Sequence, residues 1–417
     1  MKKLLVIVFF LLSGFARASY VLIPMDMAQK DHLKAYGIAF WIIKNGGTVD
    51  WLLNYRGGSF ATQYVKNIES ECAVRGVTVE VIADGQYTSI LSEIANPEAN
   101  MDVVKLEKTP KIAVYQPKAM QPWDDAVTMV LQYAEIPYDA IYDDEVLDDK
   151  LTKYDWLHLH HEDFTGQYGK FYASYANAKW YQDQVAEQEE IAKRRGFAKV
   201  SKLKLSVTQK IRDFVANGGF MFAMCSATDS YDIALDAEST DICDVMYDHD
   251  PQDPDAQNKL NYAQGFAFEN FHLRTNPYEY EYSDIDANFG RNVQKDLDYF
   301  NLFDFSAKWD QVPTMLTQCH TRTVKGFLGQ TTAFNKKFVK KTVLVMGQNK
   351  AANEDRYIHG EFGKGMWTFY GGHDPEDYQH LVGDPKTDLS LHPNSPGYRL
   401  ILNNVLFPAA KKKKQKT

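Results

Sequence analysis

The sequence predicts an α/β protein with two domains, each built on a parallel sheet covered by helices. Strand and helix patterns alternate through residues 20–108, and a second alternation begins after Pro110 and runs to residue 235. Such alternation is typical of parallel sheets. The length of 417 residues agrees with two or three domains, and 24 Phe and 25 Tyr can supply a large aromatic core. We expect an N-terminal domain over residues 19–109 and a second domain over residues 110–408.

The first residues have the composition of a secretory signal peptide, which we place at residues 1–18. Lys2 and Lys3 precede an apolar run over residues 4–12, and the small residues Ala16 and Ala18 mark a cleavage site. The run is too short for a membrane-spanning helix, and no later stretch is long and apolar enough to be one. We therefore expect an exported protein, periplasmic or extracellular, without a membrane span.

The charge balance argues against one class of partner, and the spacing of the cysteines argues against one kind of metal site. Lysine and arginine number 46 against 55 acidic residues, a formal net charge of −9, which argues against nucleic acid as a partner. The four cysteines form no CxxC pair, so a structural zinc site has no support. If Cys225 stays reduced, a disulfide between Cys243 and Cys319 fits, because both lie in one predicted insertion.

In the first domain, strands and helices are predicted to alternate strictly, beginning and ending with a strand. The segments are residues 20–26, 32–47, 49–58, 61–76, 78–84, 86–96 and 101–108. The NYRGG segment, residues 54–58, closes the second strand. A plain turn is the favoured interpretation, and a ligand site at the carboxyl end of a strand is the alternative.

In the second domain, two insertions interrupt the alternation. Core segments are predicted at residues 111–117, 126–136, 138–147, 153–164, 207–219, 220–224, 341–349, 356–362, 363–378 and 395–407. A charged helical stretch at about residues 168–204 is interpreted as the first insertion. The second, at about residues 236–340, is rich in Asp, Tyr, Asn and Phe. The basic tail, residues 409–417, is predicted to be a solvated charge run.

Cys225 lies where a buried strand over residues 220–224 gives way to a helix start. A nucleophile on a sharp strand-to-helix turn is typical of many hydrolases, and such a turn needs small neighbours, here Ala223 and Ala227. The backbone N–H groups of Ser226 and Ala227 would favour a thiolate and hold an oxyanion. The alternative is a buried cysteine that acts as a small hydrophobic residue.

A second candidate site follows an apolar strand that ends in two glycines. His373 comes directly after them, with Asp374 and Glu376 close behind. A thiol nucleophile needs a base to accept its proton and a carboxylate to orient that base. We expect Cys225 and His373 to meet above the sheet, with Asp374 or Glu376 as the third group. The alternative for His373 is a solvated loop residue.

A third candidate is the HLHHED segment, whose strand is expected to neighbour the strand that carries Cys225. His160, His161 and Glu162 at its end are suited to ligating a divalent metal, binding a polar substrate or forming a hydrogen-bonded cluster. A fourth is an acidic loop that contains Asp248 and Asp250, which lacks the glycine and distal glutamate of an EF-hand. The sequence predicts no cofactor, with calcium or another divalent metal as the alternative.

The strand-to-helix turn that carries Cys225, called the elbow below, and the later His373 are the basis of a family resemblance. Residues 110–235 and 341–408 resemble the class I glutamine amidotransferase-like superfamily, including its trehalose-utilisation-like branch. The resemblance implies a flavodoxin-like sheet, with Cys225 as the nucleophile and His373 as the base.

Three departures from the family pattern put glutamine in doubt as the substrate. Two residues separate His373 from Glu376, where the family has one between its histidine and glutamate. Alanines stand where the family elbow has glycines. The family's oxyanion loop falls at residues 160–163, which here read HHED.

The whole chain also resembles secreted Bacteroidota proteins labelled asparagine synthetase B. That activity requires an N-terminal cysteine nucleophile and an SGGxDS loop that binds pyrophosphate. The mature chain would begin near Ser19 and contains no such loop, so the residues do not support the label.

Two functions remain from the sequence. The first is an exported thiol hydrolase or amidase that acts on a C–N or ester bond of a small-molecule or peptide-like substrate. The second is a non-catalytic envelope protein that uses the same fold to bind an envelope protein partner.

Overall fold

The computed structural model describes residues 18–118 and 121–410, and it confirms the α/β class. The first part of the chain contains β1 (Ala18–Ile23), α1 (His32–Lys44), β2 (Val49–Leu53), β3 (Ser59–Gln63), α2 (Lys66–Arg75), β4 (Glu80–Ala83), α3 (Asp84–Ala95) and β5 (Asp102–Leu106). The predicted signal peptide, apart from Ala18, and the tail after residue 410 lie outside the described residues.

The second part contains the remaining elements. Up to the elbow these are β6 (Ile112–Tyr115), α4 (Ala126–Tyr133), β7 (Asp139–Ile141), α5 (Asp143–Leu147), β8 (Trp156–Leu159), α6 (Tyr172–Tyr175), α7 (Lys179–Arg194), α8 (Val200–Ala216) and β9 (Phe220–Met224). After it come α9 (Ala227–Asp236), α10 (Val245–Asp248), β10 (Tyr299–Leu302), α11 (Gln311–Leu316), β11 (Thr323–Lys325), β12 (Phe334–Asn335), β13 (Leu344–Asn349), β14 (Glu354–Phe362), β15 (Gly365–Tyr370) and α12 (Pro396–Leu406).

The first sheet is antiparallel, so the prediction of a parallel sheet in this domain was wrong. Its strand order is β4-β1-β3-β2-β5, and every neighbouring pair runs antiparallel. The cause is the NYRGG segment. Asn54, Arg56, Gly57 and Gly58 all have positive φ, which reverses the chain and makes β2 and β3 a hairpin. The segment is therefore the plain turn that the sequence favoured, and β3 occupies residues partly predicted as helix.

The second sheet combines a parallel half with an antiparallel half. The parallel strands are ordered β7-β6-β8-β9-β15, which is the flavodoxin-like order in this part of the chain. Alternate residues of β9 face opposite sides of the sheet, as in any strand. Phe222 and Met224 therefore join one core cluster, and Met221 and Ala223 join another. The elbow strand is thus buried on both faces.

The antiparallel half shows that the two predicted insertions were drawn too wide. Strands β14, β13, β10 and β11 continue the sheet beyond β15, and both β10 and β11 come from the region predicted as the second insertion. Their short length and weak alternation hid them in the sequence. Helix α8 begins at Val200, inside the predicted first insertion, and packs on α5 and α9.

One of the three hydrophobic core clusters of the described residues spans both domains. Helix α1 contacts α4 and α12, and Trp51 of the first sheet belongs to the same core cluster as Leu402 of α12. Polar contacts add to this junction: Nη1 of the buried Arg399 donates to the carbonyl oxygen of Met25 at 3.0 Å. The chain boundary near residue 110 is therefore not a boundary between separate cores.

The four cysteines are free thiols, so the predicted Cys243–Cys319 disulfide is wrong. The two residues belong to different core clusters on opposite sides of the second sheet. Cys243 Sγ donates instead to the carbonyl oxygen of Thr165 at 3.4 Å. Separately, no helix among the described residues has both the length and the apolarity needed to cross a bilayer.

Candidate active site at the elbow

Cys225 lies on a strained turn between β9 and α9. Its φ is +52°, in the left-handed region that a residue with a Cβ rarely adopts. Hydrogen bonds hold the turn: Ala227 N donates to the carbonyl oxygen of His160 at 2.9 Å, and Thr228 Oγ1 donates to that of Cys225 at 2.7 Å. The strand ends of β8 and β15 flank the turn on its two sides, as the sequence predicted for β8.

Backbone N–H groups surround the sulfur of Cys225. Gln330 N donates to Sγ at 3.3 Å, and the N–H groups of Thr331 and Ser226 also stabilise the thiolate. Burial outweighs them and raises the pKa of the thiol to about 11. Only 2 % of Cys225 is exposed, and that small surface faces a cavity. The thiol is therefore neutral near pH 7 before a substrate binds.

The donors around the sulfur differ from the predicted pair. Ala227 N is engaged by the carbonyl oxygen of His160, so it does not face the site, and the prediction that it holds an oxyanion was wrong. Ser226 N remains close to the sulfur. Gln330 and Thr331 replace Ala227, and they lie in the predicted second insertion, 105 residues or more along the chain from Cys225. No local pattern in the sequence indicates this approach.

A cavity of about 590 Å³ opens over Cys225. Its wall includes the imidazoles of His161, His373 and His380. The aromatic side chains in the wall are Trp123, Phe171, Tyr175, Tyr280 and Tyr378. The cavity thus brings together the predicted nucleophile, the predicted base and two further histidines, next to aromatic side chains and two cationic ones, Arg291 and Lys295.

His373 follows β15 and is 5 % exposed. Its Nε2 lies 3.0 Å from the carbonyl oxygen of Asp124, and its ring centroid lies 4.4 Å from that of His160. Burial and the neighbouring histidines hold the pKa of His373 well below its usual range. Among the hydrogen bonds of the described residues, none joins His373 to Cys225, so the two groups share a cavity without forming a dyad.

Asp374 and Glu376 do not orient His373. The carboxylate of Asp374 accepts from Tyr398 Oη at 2.7 Å and from Thr387 Oγ1 at 2.6 Å. Glu376 Oε2 lies 3.1 Å from Nδ1 of His392. The carboxylate beside His373 is Asp124, whose Oδ1 lies 3.9 Å from Nε2. The sequence prediction of the third group was therefore wrong, since tertiary contacts use both acids elsewhere.

A cluster of histidines, which we call the histidine cluster, lies beside the cavity and in its wall. Its rings are those of His158, His160, His161, His373 and His380. Asp125, the N-cap residue of α4, places Oδ2 3.3 Å from both Nε2 of His158 and Nδ1 of His160. Although burial alone would raise it, the two imidazoles hold the pKa of Asp125 well below its usual range. Burial lowers the pKa of His160, but the combined attraction of Asp125, Glu162 and Asp124 exceeds this effect, so the net shift is upward.

The other members of the cluster follow β8 or β15 in the chain: His161 and Glu162 come after β8, and His380 comes after β15. Burial and His160 hold the pKa of His161 well below its usual range. Burial raises the pKa of Glu162 to about 7, and Glu162 Oε2 accepts from His160 N at 2.9 Å. The carboxylate of Asp377 lies 3.1 Å from Nδ1 of His380, which orients that ring toward the cavity wall.

Sequence reasoning missed Asp124, Asp125 and His380. The Asp377-x-x-His380 spacing was a usable sign, since residues three apart meet in a turn. The Asp124-Asp125 pair gave none, because its approach to the histidines is set by the packing of α4 on the sheet. The acidic loop is no open cation site: Lys199 Nζ lies 3.1 Å from Asp248 and 2.7 Å from Asp250.

Comparisons with known proteins give no family. No family model and no curated protein matches the chain. A solved cytoplasmic protein from Salmonella typhimurium is similar at TM-score 0.36 and 10 % identity, over 73 % of this chain and 100 % of that one. A second, from strain LT2, gives 0.34 and 10 % over 72 % and 99 %. The GH42 beta-galactosidase Gan42B gives 0.28 and 12 % over 64 % and 28 %. These likenesses are too distant to support a function.

Proposed function

We propose that this protein is an exported thiol hydrolase or amidase whose second domain is related to the class I glutamine amidotransferases. It cleaves a C–N or ester bond of a small-molecule or peptide-like substrate in the cavity over Cys225. The observation that carries the proposal is the left-handed φ of +52° at Cys225, on a strand-to-helix turn that faces a cavity. Strain at a buried turn is retained where it presents a reactive group.

The reaction divides into two balanced steps. Cys225 Sγ attacks the substrate carbonyl, its proton passes to an imidazole, and the C–N or C–O bond breaks as that proton moves to the departing amine or alcohol. Water then attacks the thioester, which releases the carboxylic acid and restores the thiol. We assign stabilisation of the oxyanion to the N–H groups of Gln330, Thr331 and Ser226, because they surround the sulfur that attacks the carbonyl.

Two imidazoles are candidates for the proton acceptor. His373 is the residue that the sequence predicts, and it lies in the cavity wall with Cys225. His380 lies in the same wall and is oriented by Asp377, as a general base is in a catalytic triad. Because the thiol has a pKa of about 11, proton transfer must accompany substrate binding in either case.

Acyl trapping on Cys225 tests the proposal. The protein is incubated with a panel of activated esters and anilides, quenched in acid and analysed by peptide mass mapping. We expect an acyl adduct on Cys225, and we expect Cys225→Ser to lose turnover. Cys243→Ser is the matched control, because Cys243 is equally buried and lies outside the cavity. Equal acylation of all four cysteines, or unchanged turnover in Cys225→Ser, would refute the nucleophile.

A second candidate is an envelope protein that binds a partner without catalysis. The observation that favours it is the hydrogen bond of His373 to Asp124 rather than to Cys225. Full function of a Cys225→Ala strain, with a stable partner recovered from the envelope, would select this function. Loss of function in that strain with the protein still folded would exclude it.

A further inference from the structure

The histidine cluster contains a set of nitrogen atoms placed for a metal ion. One ring nitrogen each from His160, His161 and His373 lies within 4.8 Å of the other two. Tetrahedral zinc with Zn–N bonds of about 2.05 Å places its ligands about 3.4 Å apart. Small rotations of the rings are therefore enough to close a site. The three residues come from the ends of β8 and β15, which the sheet holds on either side of the elbow.

The partners of two rings identify the nitrogens that remain free. Nδ1 of His160 faces Asp125 Oδ2 at 3.3 Å, which leaves Nε2. Nε2 of His373 faces the carbonyl oxygen of Asp124 at 3.0 Å, which leaves Nδ1. Histidine ligands in proteins usually direct their second N–H at a carboxylate or a backbone carbonyl, which fixes the tautomer and the ring orientation.

Three ring nitrogens of these residues are buried and have no hydrogen-bond partner. They are Nε2 of His160, Nδ1 of His161 and Nδ1 of His160, whose 3.3 Å approach to Asp125 Oδ2 lacks hydrogen-bond geometry. His160 is completely buried. A buried polar atom without a partner costs about 1–3 kcal/mol, so such atoms call for a ligand. Three carboxylates close by, those of Asp124, Asp125 and Glu162, supply negative charge that would offset a divalent cation.

We propose that His160, His161 and His373 bind one divalent transition-metal ion, of which Zn²⁺ fits best, through Nε2, Nδ1 and Nδ1 respectively. Imidazole ligands select zinc and its neighbours over calcium and magnesium. Because His161 and His373 line the cavity, the fourth coordination position opens toward it. Three histidines with an open position are typical of catalytic rather than structural zinc.

The neighbouring groups of the cluster are less suited to the ion. In the set of Asp125, His158 and His160, the carboxylate already pairs with both rings at 3.3 Å. In the set of Asp124, His373 and His380, the His373 nitrogen that approaches the carboxylate is Nε2, and it already faces the carbonyl oxygen of Asp124 at 3.0 Å. A metal ion on His373 leaves His380 as the proton acceptor for the thiol. The metal site itself goes beyond the proposed function and does not depend on Cys225.

Metal binding by the full chain tests the site directly. The protein is stripped with a chelator and titrated with Zn²⁺ by calorimetry and with Co²⁺ by absorption. We expect one ion per chain and a cobalt d–d spectrum without a thiolate charge-transfer band. His161→Gln and His373→Gln are each expected to weaken binding by at least about 100-fold, and Asp125→Asn by about 10-fold to 100-fold. His272→Gln, at an exposed histidine outside the cluster, is expected to bind as the unchanged protein does.

Three results would overturn the assignment: no zinc binding at micromolar concentration, equal binding in His161→Gln and His373→Gln, or loss of binding only in His380→Gln. Circular dichroism and urea titration of each variant separate loss of a ligand from loss of the fold. Cys225→Ser separates this inference from the proposed function. It must retain metal binding if the site is correct, whether or not the same variant has lost turnover.

Discussion

Among the described residues of the second domain, two of the buried polar clusters differ in how completely their groups are paired. Lys204 and Asp143 are almost fully buried, with Nζ 2.8 Å from Oδ2, and Tyr115 and Tyr142 complete the coordination of Nζ at 3.0 and 3.2 Å. In the histidine cluster, by contrast, ring nitrogens of His160 and His161 have no hydrogen-bond partner. The groups of the first cluster are all paired, whereas the second leaves ring nitrogens without a partner.

This difference separates a structural role from a functional one. Buried ion pairs with all their hydrogen bonds made hold elements together, here α5 and α8. A cluster with unpaired atoms lowers stability by itself, and the metal ion proposed above would remove this cost. The strained Cys225, which lies in the wall of the same cavity as His161 and His373, belongs with the second kind.

The largest effect is expected from breaking the paired cluster. Lys204→Met leaves the carboxylate of Asp143 buried without its cation, and such changes cost about 3–5 kcal/mol. Urea denaturation should show this loss in the free energy of unfolding. Lys210→Met is the matched control on the same helix, because its partner Asp149 is exposed, and we expect a change of about 1 kcal/mol or less. Equal losses of stability in the two variants would show that the buried Lys204–Asp143 pair is no more important to the fold than the exposed Lys210–Asp149 pair.

The next effect is expected from completing the unpaired cluster. A ligand that binds only the native state at 100 times its dissociation constant stabilises it by about 2.7 kcal/mol. Zn²⁺ at that excess should therefore raise the free energy of unfolding by this amount, and His373→Gln should abolish the rise. Lys204→Met should keep the rise, because it leaves the histidines in place. A rise of equal size in His373→Gln would show that zinc binds elsewhere.

His359 is a buried histidine outside both clusters, and we expect it to have a smaller effect on stability. That effect is a reference for what one buried imidazole contributes. Burial lowers the pKa of His359 to about 4, and Nδ1 lies 3.0 Å from Thr368 Oγ1. Between pH 6.5 and 5 the unfolded chain binds a proton at this residue and the native state does not, so stability falls as the pH falls. The contribution over this window is about 1.6 kcal/mol.

Denaturation of the unchanged protein and of His359→Gln at several pH values measures this contribution. As the pH is lowered from 6.5 to 5, the unfolding free energy of the unchanged protein should fall relative to that of His359→Gln. His272→Gln, at an exposed histidine, should leave the pH dependence unchanged. A constant difference across this range would contradict neutral burial of His359.

The sequence predicted those parts of the site that depend on local pattern. The apolar run before Cys225 and the polar run after it require a strand and a helix, so the elbow follows from neighbouring residues. The pairing of β8 with β9 follows from the alternation of strands and helices. These two facts place His160 and His161 near Cys225 without any knowledge of the loops.

The remaining parts depend on contacts between residues far apart in the chain. Gln330 reaches the sulfur from a region with no regular pattern, and Asp124 displaces Asp374 and Glu376 as the carboxylate beside His373. In the first domain, positive φ at four residues of the NYRGG turn reverses the chain. Alternation of strands and helices by itself does not distinguish that hairpin from a parallel crossover.

The smallest effect is expected from removing one unpaired ring in the absence of metal. His161→Leu deletes a buried Nδ1 that has no partner and keeps most of the apolar contact, so the lost transfer energy and the removed desolvation cost nearly cancel. We expect the free energy of unfolding of the metal-free protein to change by about 1 kcal/mol or less. Urea denaturation in the presence of a chelator measures it, with Lys204→Met alongside. A loss as large as that of Lys204→Met would mean that His161 is needed for the fold itself, and the contrast between the two clusters would then fail.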